Sequence, residues 1–163
     1  MTDLFKTISL LFLLVFTGCK KDVKVTYDTA LFGGGCFWTL DYYFQKVDGV
    51  KECTCVYSSL NSEAVLLKYD KSKVSFKKLC EIFFELHDSN KDYKPKYISL
   101  IQTNQKADRE YAEKLVKEKQ YGSLISELGP TKNPEEFHED WHKNKNSVPN
   151  CSANMEKLKV FFK

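Results

Sequence analysis

No apolar run in this 163-residue chain is long enough to cross a membrane as a helix, which takes about 20 residues. The chain also lacks a strong charge bias. Its 25 Lys and Arg against 22 Asp and Glu leave +3, spread along the sequence. That is too little, too dispersed, to argue for a nucleic-acid partner. There is no internal repeat and no low-complexity segment. Six cysteines are too few for a disulfide-dense miniprotein and too many to ignore. What remains is a chain 42% hydrophobic and 29% charged, the composition and size of one globular domain with a real core.

The N-terminus stands apart. Lys6 precedes the short apolar run Ile8–Phe16 (ISLLFLLVF), which reads as the h-region of a secretory signal. Thr17, Gly18 and Cys19 follow, then Lys20, Lys21 and Asp22. This stretch resembles a bacterial lipobox, which implies cleavage before Cys19, lipid on its sulfur, and a place in the cell envelope held to a membrane. The alternative is an ordinary signal peptide cut nearby. The expected organisation is a signal peptide over 1–18, a lipidated cysteine and tether over 19–25, and a folded domain over 26–163.

Within that domain, Val25–Phe32 is strand-like and ends at Gly33, Gly34 and Gly35. Phe37, Leu40, Phe44 and Val47 recur at helical spacing, and Gly49 stops the helix. Val50–Tyr57 and Ala64–Tyr69 flank a turn at Asn61-Ser62 and predict a hairpin. Ser75 caps a helix with Phe76, Leu79, Phe83 and Leu86 on one face. Tyr97–Gln102 predicts a strand. Asn104 is placed to cap a surface helix, with Glu110–Lys114 and Glu113–Lys117 as i,i+4 pairs. Leu124–Leu128 predicts a last short strand. The order βαββαβαβ predicts an α+β fold, a two-layer α/β sandwich on a mixed sheet.

The chemistry centres on Gly33–Trp38 (GGGCFW). A glycine turn opening a helix gathers free backbone N–H groups, and a helix N-terminus carries partial positive charge. Cys36 there is expected to have its pKa lowered and its thiolate open to substrate. The bland reading is a small buried hydrophobe at a strand–helix junction. Local pattern alone does not separate the two.

The segment Phe32–Trp38 resembles the signature of the peptide methionine sulfoxide reductase A family. Further matches follow in order. They are Asp48-Gly49-Val50, Ser62–Val65 with Lys68-Tyr69-Asp70, Leu79–Asp88 (LCEIFFELHD), the Asp92/Tyr97 pair, Phe137-His138-Glu139 with Trp141, and Cys151. Together they cover about residues 26 to 151. The resemblance implies a ferredoxin-like core and an oxidoreductase that repairs methionine-S-sulfoxide, peptide-bound or free.

The resemblance also implies roles. Cys36 would attack the sulfoxide sulfur. Glu63 would be the proton donor, its pKa raised by burial beside aromatics. Tyr97 would hydrogen-bond the oxygen, and Asp92 would support the site. Phe37 and Trp38 would hold the methyl group. Cys36 would emerge as sulfenic acid, Cys151 would condense with it to a disulfide, and an outside thioredoxin-like dithiol would restore both. No cofactor or metal is implied. The partners implied are proteins and peptides bearing methionine sulfoxide, the reductant and, through Cys19, a membrane. A monomer is expected.

The chain departs from the family in two places. Only Ser58–Ser62 stands where the family carries a long loop that brings a second tyrosine to the oxygen. Tyr57 and Tyr93 are the candidate substitutes. Lys94-Pro95-Lys96 replaces the Gly-Thr-Gln ahead of the other tyrosine. These departures keep a second reading open, a decayed reductase fold acting as a binding module. A third reading comes from His138–His142 (HEDWH), which matches the H-E-x-x-H of zinc hydrolases if it lies on a helix. Cys53 and Cys55 share one face of a strand, and Cys80 lies on the apolar side of its helix.

Overall fold

The computed structural model describes residues 25–92, 94–135, 138, 140–149 and 159–162. Cys19 and the signal segment lie outside them, as do Tyr93, Phe137, Glu139 and Cys151. Among the described residues no helix is long and apolar enough to cross a membrane.

The elements follow the order read from the sequence. They are β1 (Tyr27–Gly33), α1 (Phe37–Phe44), β2 (Val50–Tyr57), β3 (Glu63–Asp70), α2 (Phe76–Leu86), β4 (Leu100–Gln102), α3 (Lys106–Lys119), β5 (Leu124–Ser126) and a short α4 (Trp141–Asn144). The strands form one five-stranded sheet in the order β2-β3-β1-β4-β5. β2 and β3 are the expected antiparallel hairpin. β1 pairs antiparallel with β3 and with β4, and β4 pairs parallel with β5. The sheet is therefore mixed and the fold α+β.

Alternation along the strands sorts the two faces. Ala30, Phe32, Cys55, Val65, Leu67 and Tyr69 join the helices in the main core, whose helix side includes Leu40, Phe44, Leu79 and Phe83. Leu31, Val56, Ala64 and Leu100 form a smaller cluster on the opposite face, against Leu66, Ile98 and Leu128. Cys53 and Cys55 both belong to the helix-facing set, and Cys80 is fully buried there. Burial pushes the Cys80 thiol up, which keeps it inert.

Three local expectations need correction. The segment before β4 is a 3₁₀ turn over Pro95–Tyr97, because Pro95 fixes its own φ and starts a turn. Only Leu100–Gln102 pairs as strand. Helix α3 starts one residue later than expected, with Gln105 rather than Asn104 at its N-cap. Its i,i+4 ion pairs among the described residues are Lys106–Glu110 and Lys114–Glu118, each 3.7 Å, not the two expected. By contrast Ser75 caps α2 as predicted, its side chain accepting from the Lys78 amide at 3.2 Å.

Candidate active site

Cys36 is the N-cap of α1, reached through the turn that the glycines make. Gly35 sits at φ 72, a conformation that disfavours side chains, and its amide donates to the Tyr97 carbonyl at 3.0 Å. Gly34 has no room for a side chain, since a Cβ there would lie 2.7 Å from Cδ2 of His87. The His87 ring is locked. Its Nδ1 bonds the Phe83 carbonyl and its Nε2 bonds Ser99 Oγ, both at 2.8 Å. A carbonyl only accepts, so Nδ1 carries the proton and Nε2 accepts from Ser99. Burial pushes the His87 pKa down, which favours this neutral ring.

The position of Glu63 follows from sheet geometry. It pairs with Tyr57 at the turn end of the hairpin. With Val65, Leu67 and Tyr69 it lies on the helix-facing side, which aims its carboxyl under the start of α1. The Phe37 amide donates to Oε2 at 3.1 Å. Lys96 Nζ lies 3.0 Å from Oε1, with the Glu63 side chain only 5% exposed and that of Lys96 48% exposed. An isolated carboxylate at this depth would cost several kcal/mol. The ammonium and the amide offset that cost. The hydrogen bond to Glu63 is the main cause that raises the Lys96 pKa, against a smaller effect of burial.

The Lys96 ammonium also lies near two aromatic rings, 5.6 Å from the centroid of Tyr57 and 5.8 Å from that of Tyr97. Both distances are within cation–π range. Ser62 Oγ donates to the Lys96 carbonyl at 3.1 Å, so the turn that carries Lys96 and Tyr97 is tied to the residue just before β3. Tyr57 lies 5.9 Å from the Phe37 ring. Of the two tyrosines considered as substitutes for the missing loop tyrosine, Tyr57 is the one among the described residues, and it lies at the site. The short Ser58–Ser62 turn closes on itself, with Ser58 N donating to the Ser62 carbonyl at 2.8 Å.

The thiol differs from expectation. Cys36 is half-buried, and its pKa is pushed up to about 11. Burial is the largest cause. The amides of Trp38 and Thr39 pull in the expected direction. They are outweighed by burial together with the charge of Glu63 and the hydrogen bond the thiol shares with it. Helix-terminus reasoning found the right sign for the amides and omitted the tertiary neighbours.

The remaining predicted residues are placed unevenly. Phe37 is 1% exposed and packs edge-on to His138 at 5.3 Å. Trp38 is half-buried and stacks on Trp141. Asp92 is exposed, and the turn over Pro95–Tyr97 is tied by Ser62 and Gly35. The H-E-x-x-H segment is not one helix. Asp140 has φ 50, which separates His138 from α4. His138 bonds Glu135 at 3.2 Å and stacks near Trp38 at 5.7 Å. His142 bonds Ser147 Oγ at 2.9 Å. Among the described residues no group of three or more His, Cys, Asp or Glu could hold a metal.

Sequence reasoning missed Lys96. The available signal was a lysine next to Tyr97 in a proline-started turn, exactly one residue from a predicted site residue. Its partner, Glu63, is distant in sequence.

The chain is similar to known proteins over most of its length. Residues 28–163 match the family model described as peptide methionine sulfoxide reductase. A peptide methionine sulfoxide reductase MsrA from Nautilia profundicola is 30% identical over 149 residues, covering 75% of this chain and 86% of the relative. Another, from Sulfolobus acidocaldarius, is 28% identical, covering 83% and 94%. Among solved structures, Mxr1 from Saccharomyces cerevisiae in reduced form matches with a TM-score of 0.71 at 18% identity, covering 81% of this chain and 94% of that one. Mxr1 in complex with Trx2 matches at 0.60 and 16%, covering 82% and 96%. At these identities the structures speak for the fold alone. The chain belongs to the peptide methionine sulfoxide reductase family and is an oxidoreductase of methionine sulfoxide.

Proposed function

We propose that the protein reduces methionine-S-sulfoxide, peptide-bound or free, with Cys36 as the nucleophile. The observation that carries this reading is the half-buried Cys36 thiol at the N-cap of α1, beside the buried carboxyl of Glu63, which accepts from the next amide, that of Phe37. Cys36 attacks the sulfoxide sulfur. Glu63 handles protons beside the reacting atoms. Tyr97 and Tyr57, both near the Lys96 ammonium, line the oxygen's approach. Phe37 and Trp38 form the apolar wall that selects one sulfoxide epimer, and Asp92 supports the site from the turn.

Methionine leaves with Cys36 as sulfenic acid. Cys151 condenses with it, releasing water and forming a disulfide. A thioredoxin-type dithiol then exchanges with that disulfide and restores both thiols. The structural likeness to Mxr1, which has been crystallised with Trx2, supports a reductant of this type. The protein works as a monomer without a bound cofactor. Cys19 carries the lipid that holds the domain over 26–163 to a membrane of the bacterial cell envelope, after removal of 1–18.

The test is mass spectrometry after exposure to one equivalent of methionine-S-sulfoxide. The expected product carries a Cys36–Cys151 disulfide and releases one methionine. A Cys36→Ser variant is expected to release none. Turnover unaffected by that variant would overturn the reading. A wild-type protein inert with every dithiol would favour the binding-module reading, for which the raised Cys36 thiol is the specific observation. For the anchor, Cys19→Ala is expected to move the protein from the membrane to the soluble fraction.

A further inference from the structure

The Glu63 carboxyl accepts from the Phe37 amide and the Lys96 ammonium, beside the Cys36 thiol. A carboxyl so placed is set to receive a proton from the thiol and then to pass it to the sulfoxide oxygen. The negative charge that builds on that oxygen as its bond to sulfur breaks calls for a further donor. Lys96 offers one. Its ammonium has three N–H donors and spends one on Glu63. Its side chain is 48% exposed, so the others remain open to an arriving ligand. The nearby rings of Tyr57 and Tyr97 and the ties of the turn to Ser62 and Gly35 limit where it can go.

We infer that Lys96 is a catalytic residue: its ammonium hydrogen-bonds the sulfoxide oxygen and stabilises the charge that builds there, while Glu63 takes the proton of Cys36 and passes it to that oxygen. The inference rests on the reading of Cys36 as nucleophile. The step balances within the site. As the Cys36 sulfur bonds to the substrate sulfur, its proton passes to Glu63. The oxygen takes that proton from Glu63 while the Lys96 ammonium holds it by a hydrogen bond. The S–O bond of the substrate breaks, methionine leaves, and the hydroxyl ends on Cys36 as sulfenic acid. The cysteine sulfur loses two electrons and the methionine sulfur gains them. Glu63 is left ionised and Lys96 keeps its protons, so the pair returns to its 3.0 Å contact ready for another cycle. A positive charge at the oxygen also takes over part of the work of the loop tyrosine that the short Ser58–Ser62 turn leaves out.

The test is single-turnover release of methionine from methionine-S-sulfoxide by the full chain without reductant. Lys96→Ala is expected to lower the rate constant by about 10², the usual cost of losing one donor to a developing oxyanion. Ethylammonium, small enough to enter the vacated half-exposed space, is expected to recover at least tenfold of that loss. Lys96→Gln, close in size and neutral, is expected to be equally slow and serves if the alanine variant disturbs the turn. A rate within threefold of the parent, a faster rate, or a slow variant that ethylammonium does not help would each overturn the inference. Cys36→Ser runs in parallel. If it abolishes release while Lys96→Ala does not slow it, the Lys96 inference alone fails. If it leaves release intact, the reading of Cys36 fails.

Discussion

The indole of Trp38 lies flat on that of Trp141, with ring centroids 4.1 Å apart and planes 4° from parallel. This contact joins the catalytic turn to a segment more than a hundred residues later, and it covers one face of an aromatic expected to receive substrate. The segment is also tied to α1 by Gln45 Nε2, which donates to Asp41 Oδ1 at 2.7 Å and Asp140 Oδ1 at 2.9 Å. The chain has 2 tryptophans, so fluorescence reports this stack alone. Trp141→Ala is expected to shift the emission of the remaining Trp38 to longer wavelength and to cost about 1 kcal/mol in denaturant unfolding. An unchanged spectrum would show that the two rings do not stack in solution.

Glu63 and Cys36 are coupled, and the coupling sets how the thiol reacts with pH. With its pKa near 11, about one thiol in 10³ is ionised at pH 8. Iodoacetamide labelling of Cys36 is therefore expected to rise about tenfold per pH unit and to level off near 11. Both contributions of Glu63 raise the value, so Glu63→Gln removes them and lowers it. The variant is expected to label faster at pH 8 and to level off at lower pH. Peptide mass spectrometry separates Cys36 from the other cysteines. A variant that labels at the parent rate would remove Glu63 from contact with the thiol.

Ser75 tests the fold away from the site. Its hydroxyl accepts from the Lys78 amide at 3.2 Å and satisfies one orphan donor of α2. Ser75→Ala is expected to cost about 1 kcal/mol by urea unfolding, with single-turnover methionine release unchanged. A loss of release larger than the loss of stability would mean that α2, which holds His87 at its end, positions the turn more tightly than its packing shows.

What could be read from the sequence was local. Alternation marked β2 and β3, helical spacing marked α1 and α2, and the glycines ahead of Cys36 marked the turn, because each is a property of neighbours in the chain. The Cys36 environment was not local. Burial and Glu63 arrive through tertiary packing, and they reverse the direction that the amides of Trp38 and Thr39 set. Lys96 was visible only as a departure from the family, since its partner Glu63 lies far earlier in the chain, at the start of β3. His138 and His142 matched a helical motif, but Asp140 adopts a left-handed conformation and breaks the helix that the motif requires.

Gly34 and His87 give the most direct check on how the catalytic turn is held. A Cβ at position 34 would sit 2.7 Å from the ring, and the ring has little freedom to retreat because Phe83 and Ser99 hold both nitrogens. Gly34→Ala is expected to cost about 1–3 kcal/mol, the range for overpacking a tight site, and to slow methionine release by displacing Cys36. Removing the obstacle should restore part of that loss. In the double variant with His87→Ala, the penalty of the added methyl is expected to shrink by at least about 1 kcal/mol, a coupling typical of residues in contact. Urea unfolding of the parent, both single variants and the double variant measures it. Strictly additive penalties would show that the imidazole does not back the turn, and that the glycine is required there for its backbone alone.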